Sequence, residues 1–200
     1  MKNIVVIGAG TMGNGIAHVF AQNGFETTLN DLNESQLQKA KATILNNLDR
    51  LLSKEKISEE LKLKTLGRLQ FATQANRAIK QADLIIEAAT ENFEIKKKIF
   101  NDVMPIAPSH CVFATNTSSI SIDRLAREIP HPERLIGMHF FNPVPVMQLV
   151  EIIKGEKTTS EVTKKTEELT LKLNKTGVVV NDAPGFISNR ILMPMVNEAV

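Results

Sequence analysis

Four apolar residues follow one another without a break near the start of the chain, Ile4-Val5-Val6-Ile7. A run this short, branched and unbroken predicts a strand buried on both faces, as in a parallel sheet. Residues 12–22 then read as a helix and residues 25–30 as a second short strand. Further strand patterns fall at 68–72, 83–87, 110–114, 135–140, 148–153 and 177–180, with helical patterns near 93–104, 120–128 and 160–172. The alternation predicts an α/β fold, a doubly wound and mostly parallel sheet with helices on both faces.

Two stretches depart from that rhythm. Between 33 and 67 the apolar residues Leu37, Ala40, Ile44, Leu48, Leu51 and Leu52 return every three or four positions. Residues 53–58 break the pattern, and Ser58-Glu59-Glu60-Leu61 restarts it with Ser58 as a cap. This predicts a helical hairpin over about 33–67, projecting from the domain. Later, Asp182-Ala183-Pro184-Gly185 reads as a turn or hinge, and residues 186–200 are apolar and helical, interrupted only at Pro194. A helix this apolar calls for packing partners. The expectation is one domain over 1–183 and, over 184–200, the start of a second, all-helical domain cut short at Val200.

The first strand runs straight into Gly8-Ala9-Gly10-Thr11-Met12-Gly13, and Asp31 follows Gly10 by 21 residues at the end of the second strand. Strand, glycines, helix, strand and acid in this order form the dinucleotide-binding fingerprint of a Rossmann-type sheet. Gly8 permits the sharp turn, Gly10 lets backbone approach a pyrophosphate, and Gly13 lets helix and sheet pack closely. The helix start at Thr11 and Met12 offers free N–H groups to the phosphates. Asp31 suits the two ribose hydroxyls of NAD and would repel the extra phosphate of NADP; residues 32–36 hold no Arg to attract it. The alternative is a glycine-rich turn that binds nothing, and Asp31 argues against it.

Composition narrows the field. A 42% hydrophobic content supports a real core, and a net charge of +2 gives no reason to expect nucleic acid or membrane as a partner. Trp and Tyr are absent, no window is long and apolar enough to span a bilayer, and Met1 leads directly into the first strand. The single Cys111 excludes disulfides within the chain and fits a reducing cytoplasm. His18, His110, His131 and His139 show no metal-ligand spacing. Residues 50–68 carry Arg50, Lys54, Lys56, Lys62, Lys64 and Arg68 against three acids. That charge is either a solvated helix surface or a site for a polyphosphate tail.

The densest polar motif is Gly137-Met138-His139-Phe140-Phe141-Asn142-Pro143-Val144-Pro145, with Glu151 twelve residues beyond His139. Pro145 is the midpoint. If the flanking strands fold back about it, imidazole and carboxylate face each other, the logic of a base and its orienter. An ion pair that merely closes a hairpin is the plainer alternative. Neutral imidazole suits alcohol oxidation, since an ordinary pKa of about 6.5 lets it take and return a proton near neutrality. The cluster Thr115-Asn116-Thr117-Ser118-Ser119 could hold a substrate oxygen or the nicotinamide amide, or simply cap the next helix.

Together with Glu87-Ala88-Ala89-Thr90-Glu91 and Asp182-Ala183-Pro184-Gly185-Phe186, these motifs resemble the L-3-hydroxyacyl-CoA dehydrogenase family in its bacterial 3-hydroxybutyryl-CoA form, over essentially all 200 residues. The resemblance implies NAD-dependent interconversion of (S)-3-hydroxyacyl-CoA and 3-ketoacyl-CoA, in fatty-acid oxidation or butyrate-type metabolism. It implies His139 as catalytic base, Glu151 as its partner, Ser118 on the substrate oxygen, and Asn189 supporting substrate or His139. It implies Glu91 and Lys96 on the nicotinamide half of NAD, with Asn116 and Asn142 lining that side. Lys54 would meet the phosphates of the acyl-CoA. It also implies a homodimer made through a helical domain beyond residue 200. Two rival readings stand beside it: another β-hydroxyacid dehydrogenase with a lysine base, and an NAD-binding sensor or scaffold without chemistry.

Overall fold

The computed structural model describes all 200 residues, Met1–Val200. Eight strands form one sheet: β1 (Asn3–Ile7), β2 (Glu26–Asn30), β3 (Leu69–Ala72), β4 (Leu84–Glu87), β5 (Val112–Thr115), β6 (Leu135–Phe140), β7 (Leu149–Lys154) and β8 (Thr176–Asn181). Their order is β3-β2-β1-β4-β5-β6-β7-β8. The first six run parallel; β7 turns back antiparallel to β6, and β8 runs parallel to β7. The helices are α1 (Thr11–Gln22), α2 (Glu34–Ser53), α3 (Glu59–Gly67), α4 (Asn76–Ile79), α5 (Phe93–Val103), α6 (Ile122–Ala126), α7 (Ser160–Lys172) and α8 (Ser188–Glu198). The Rossmann-type, mostly parallel sheet expected from the alternating pattern is the fold observed. No helix is long and apolar enough to cross a membrane.

The unbroken apolar run in β1 has the predicted cause. Ile4 and Val6 enter the core layer that holds Ile16 and Phe20 of α1, while Val5 and Ile7 enter the opposite layer with Phe100 of α5 and Leu125 of α6. Phe20 is wholly buried, and its ring meets those of Phe25 and Phe140 edge-on at 5.5 and 6.5 Å. Truncating a ring so placed to Ala costs about 3–5 kcal/mol.

The helical hairpin exists but does not project along its length. Leu37, Ala40, Ile44 and Leu48 of α2 are buried in the same layer as α1, whereas Leu51 and Leu52 are half-buried and Leu63 of α3 is exposed. Apolar residues at three- and four-residue spacing gave α2 a face wide enough to join the core, so only its far end stands free. Asn33 caps α2 by accepting the Ser35 N–H at 2.9 Å, and the Ser58 hydroxyl accepts the Leu61 N–H at 3.1 Å to start α3. The pattern overestimated α6, which is five residues long, and missed both α4 and a 3-10 turn at Pro132–Arg134. The last helix, α8, continues through Pro194 and buries none of its residues.

Candidate active site

The carboxyl ends of β1, β4, β5 and β6 open onto a crevice of about 720 Å³. Its floor is the glycine turn. Gly8 has φ +102°, and a Cβ there would lie 2.7 Å from the Ala88 carbonyl oxygen. A Cβ on Gly13 would lie 1.7 Å from the carbonyl oxygen of Gly8, so no other residue allows α1 to come this close to β1. A Cβ on Gly10 would meet nothing within 4 Å. Open space above Gly10, beside the N–H groups that begin α1 at Thr11 and Met12, fits a pyrophosphate. Asp31 closes the other end, oriented by the Ala9 N–H (2.8 Å) on one oxygen and the Asn33 N–H (2.9 Å) on the other. These residues fit a dinucleotide with free ribose hydroxyls.

Opposite the glycine turn lies the histidine. β6 and β7 pair so that His139 stands directly across from Glu151, the register anticipated from the twelve-residue spacing. Both side chains are buried, and His139 Nδ1 is 2.8 Å from Glu151 Oε2. An ionised carboxylate accepts only, so Nδ1 carries the proton and donates; this leaves the Nε2 lone pair for the crevice, which His139 lines. The second carboxylate oxygen, Glu151 Oε1, accepts the backbone N–H groups of Ile187 (3.1 Å) and Ser188 (2.7 Å) at the start of α8. Burial works to raise the Glu151 pKa, but the His139 hydrogen bond and the Ser188 and Ile187 donors outweigh it and hold the carboxyl below its ordinary value. Phe186, buried and held at φ 51°, makes the bend that aims those donors and places its ring 6.0 Å from that of His139.

The other expected residues divide. Ser118, Glu91, Asn116, Asn142 and Asn189 all line the crevice. Asn116 Oδ1 accepts the Phe140 N–H at 2.9 Å, tying the end of β5 to the strand that bears His139. Asn189 Nδ2 donates to the Ser118 carbonyl at 3.2 Å. Glu91 Oε1 gathers the N–H groups of Ser118 and Ser119 at 3.0 and 3.1 Å, and the Thr117 and Ser119 hydroxyls as well. Burial tends to raise the Glu91 pKa; the Thr117 hydroxyl, the Lys96 charge and the Ser118 and Ser119 donors reverse the effect and lower it.

Lys96 departs from expectation. It is 1% exposed and absent from the crevice wall; its Nζ lies 2.9 and 2.8 Å from the two Glu87 oxygens and 3.3 Å from Glu91 Oε2. Glu87, fully buried, and Glu91, whose side chain is 39% exposed at the crevice wall, hold the ammonium between them. Lys54 also lies off the crevice, exposed at the C-cap of α2. Among its basic neighbours Lys62 pairs with Asp49 and Lys64 with Glu60, leaving Arg50, Lys54, Lys56 and Arg68 without an acidic partner; Arg68 instead donates to the Ala21 carbonyl at 3.3 Å.

Two contributors were missed by sequence reasoning. Glu87 ends a strand that is otherwise Leu84-Ile85-Ile86, and a lone acid closing so apolar a run was the available signal. Lys175 is buried with Nζ 2.7 Å from both the Val144 and Met147 carbonyl oxygens. It pins the turn between β6 and β7, whose Asn142–Pro143 peptide is cis; nothing in the local sequence announced it.

Fold and site together define a dinucleotide-binding domain with a buried, hydrogen-bonded His139–Glu151 pair at its crevice. The family model described as 3-hydroxyacyl-CoA dehydrogenase, NAD binding domain, matches residues 3–183, and the chain belongs to that family. It is 46% identical over 200 residues to a 3-hydroxybutyryl-CoA dehydrogenase of Bradyrhizobium diazoefficiens, covering 100% of this chain and 68% of the relative. It is 39% identical over 206 residues to the mitochondrial hydroxyacyl-coenzyme A dehydrogenase of Homo sapiens, covering 100% of this chain and 65% of the relative. The crystal structure of (S)-3-hydroxybutyryl-CoA dehydrogenase from Ralstonia eutropha superposes with a TM-score of 0.96 at 44% identity, over 100% of this chain and 70% of that one.

Proposed function

We propose that this chain carries the cofactor-binding and proton-transfer machinery of an NAD-dependent (S)-3-hydroxyacyl-CoA dehydrogenase acting on short acyl chains such as 3-hydroxybutyryl-CoA. The observation that carries the reading is the His139–Glu151 pair on opposed rungs of β6 and β7, with Nε2 free beside the glycine turn. NAD, when bound, supplies the hydride acceptor or donor. His139 Nε2 takes the hydroxyl proton of the substrate as its carbon is oxidised, and returns it in the reverse direction. Glu151 holds the imidazole in the productive tautomer and stabilises its protonated form. The Ser118 hydroxyl holds the substrate oxygen, and Asn189 fixes Ser118 through its carbonyl. Glu91, Asn116 and Asn142 line the nicotinamide side, and Asp31 selects ribose hydroxyls over a 2′-phosphate.

The unpaired cations Arg50, Lys54 and Lys56 at the free end of the hairpin favour the polyphosphate reading of that charge, as a site for the acyl-CoA phosphates. Residues 1–183 form the cofactor domain in this reading, and the family model ends at the same place. Residues 184–200 begin a second helical unit, a role supported by the exposed Ile191, Leu192, Met193 and Met195. Homodimerisation and a cytoplasmic location belong to the same reading; nucleic acid and membrane do not enter it. The decisive assay is NADH oxidation by the intact protein with acetoacetyl-CoA against a panel of small 3-keto acids. Turnover should require the coenzyme A thioester, and faster turnover of a free keto acid would overturn the assignment.

A further inference from the structure

The turn between β6 and β7, residues 141–148, places Phe141 and Asn142 on the crevice wall and is held from behind by a lysine that the proposed chemistry does not use. The turn closes on itself through two backbone bonds, from the Val146 and Met147 N–H groups to the Pro143 carbonyl at 2.9 and 3.0 Å. No backbone N–H reaches the Val144 or Met147 carbonyl. Lys175 Nζ donates to both, at 2.7 Å each. The lysine is 6% exposed and takes part in none of the ion pairs of the chain. Burial pushes its pKa below that of an ordinary lysine. An apolar side chain would fill the same space without the desolvation penalty of an unpaired ammonium. What the ammonium adds is a pair of donors for two carbonyls that have no other partner.

Both ends of this link are fixed. Lys175 stands between α7 and β8: its N–H donates to the Thr170 carbonyl at 3.2 Å, and the next residue, Thr176, opens the β7–β8 ladder by donating to the Gln148 carbonyl at 2.9 Å. On the other side Val144, 2% exposed, presses on α1, where a Cβ on Gly15 would lie 2.9 Å from the Val144 Cβ. The turn is clamped between Lys175 and the helix whose first residues face the crevice. Without Lys175 two carbonyls must find water, and water reaches the buried Val144 carbonyl only if the turn lifts away from α1. Asn142 would move with the turn, whereas His139 and Glu151 would stay on their rungs of the β6–β7 ladder. We propose that Lys175 is a positioning residue, acting through the Val144 and Met147 carbonyls to hold Asn142 against the nicotinamide side of the cofactor crevice. The inference rests on the dehydrogenase reading and deepens it.

The test is a double-mutant cycle between Lys175→Met and Asn142→Ala in the intact protein, read by NADH titration calorimetry and by the pH profile of acetoacetyl-CoA reduction. Coupling of about 1.4 kcal/mol between groups joined in one network is about tenfold in Kd. Lys175→Met should raise the NADH Kd by about tenfold in the wild-type background and by no more than about threefold when Asn142 is already Ala. The pH profile of kcat at saturating NADH should keep its midpoint, because the register of His139 and Glu151 does not depend on the turn. Lys175→Arg, which keeps donors for both carbonyls, should restore much of the affinity. Should Lys175→Met fail to fold by circular dichroism, Lys175→Gln, which removes the buried charge and keeps a neutral donor, carries the same cycle. Equal losses in both backgrounds, an unchanged NADH Kd in a folded variant, or a displaced pH profile would overturn the inference. Wild-type protein that neither binds NADH nor reduces acetoacetyl-CoA would sink the dehydrogenase reading and the inference with it; an active wild type with additive losses would sink the inference alone.

Discussion

Replacing Glu151 with Gln isolates what the carboxylate does for the histidine. Glutamine has nearly the same shape, but one oxygen becomes an NH₂ group that can only donate. Two orientations are open to it. In one, the amide oxygen takes the place of Oε1 and keeps the Ile187 and Ser188 N–H groups satisfied at 3.1 and 2.7 Å, which turns the NH₂ toward His139 Nδ1. In the other, the NH₂ confronts those two backbone donors and leaves both unsatisfied, a penalty of about 1–3 kcal/mol each. The backbone of α8 therefore dictates the first orientation. A donor facing Nδ1 forces the proton onto Nε2, and the lone pair needed to accept the hydroxyl proton is lost. By analogy with the amide substitution of a triad aspartate, kcat should fall by about 10⁴-fold, roughly 5.4 kcal/mol. The measurement is NADH oxidation with acetoacetyl-CoA, alongside NADH affinity and thermal unfolding. Affinity should change little and unfolding by about 1–2 kcal/mol, because every backbone donor keeps a partner. A fold that survives with turnover reduced less than about threefold would show that Glu151 closes a hairpin and nothing more.

His139→Gln should abolish acetoacetyl-CoA reduction while leaving NADH affinity within a few-fold; unchanged turnover would reject its role as base. Asp31→Ala removes the acceptor of the Ala9 and Asn33 N–H groups as well as the ribose contact, so NAD use should fall by about tenfold or more while preference shifts toward NADP. Parallel loss with both cofactors would mean that Asp31 only braces the glycine turn. His18, fully buried in α1, has neither ring nitrogen in a hydrogen bond of ordinary geometry. Burial pushes its pKa from 6.5 down to about 4, weakly opposed by Gln22. The unfolded chain thus binds the proton first, and stability present above pH 6.5 is lost as pH falls toward 4. About 2 kcal/mol of that loss falls between pH 7 and 5; His18→Leu should remove it in urea titrations, and an unchanged pH dependence would contradict the account.

The legible features were those written in local pattern or in symmetric spacing. Ile4-Val5-Val6-Ile7 announced a central strand because each face of β1 has its own core layer to fill. His139 and Glu151 could be paired because antiparallel register about a central proline is arithmetic on residue numbers. Contacts between distant segments were not legible. Glu87 and Lys96 look like a strand terminus and a helix surface until α5 folds over the ends of β4 and β5. Lys175 is 31 positions from the Val144 carbonyl it holds, and no periodicity links them. The hairpin itself was legible, but how far it projects was not: its apolar face was visible, whereas its meeting with α1 was not.

Because base and orienter occupy facing rungs of one ladder, their separation belongs to the stiffest part of the molecule. Amides at His139 and Glu151 should exchange with solvent only when the whole sheet opens, far more slowly than those of the surrounding loops. Warming the protein should then loosen the loops that capture ligand before it changes the spacing of His139 and Glu151.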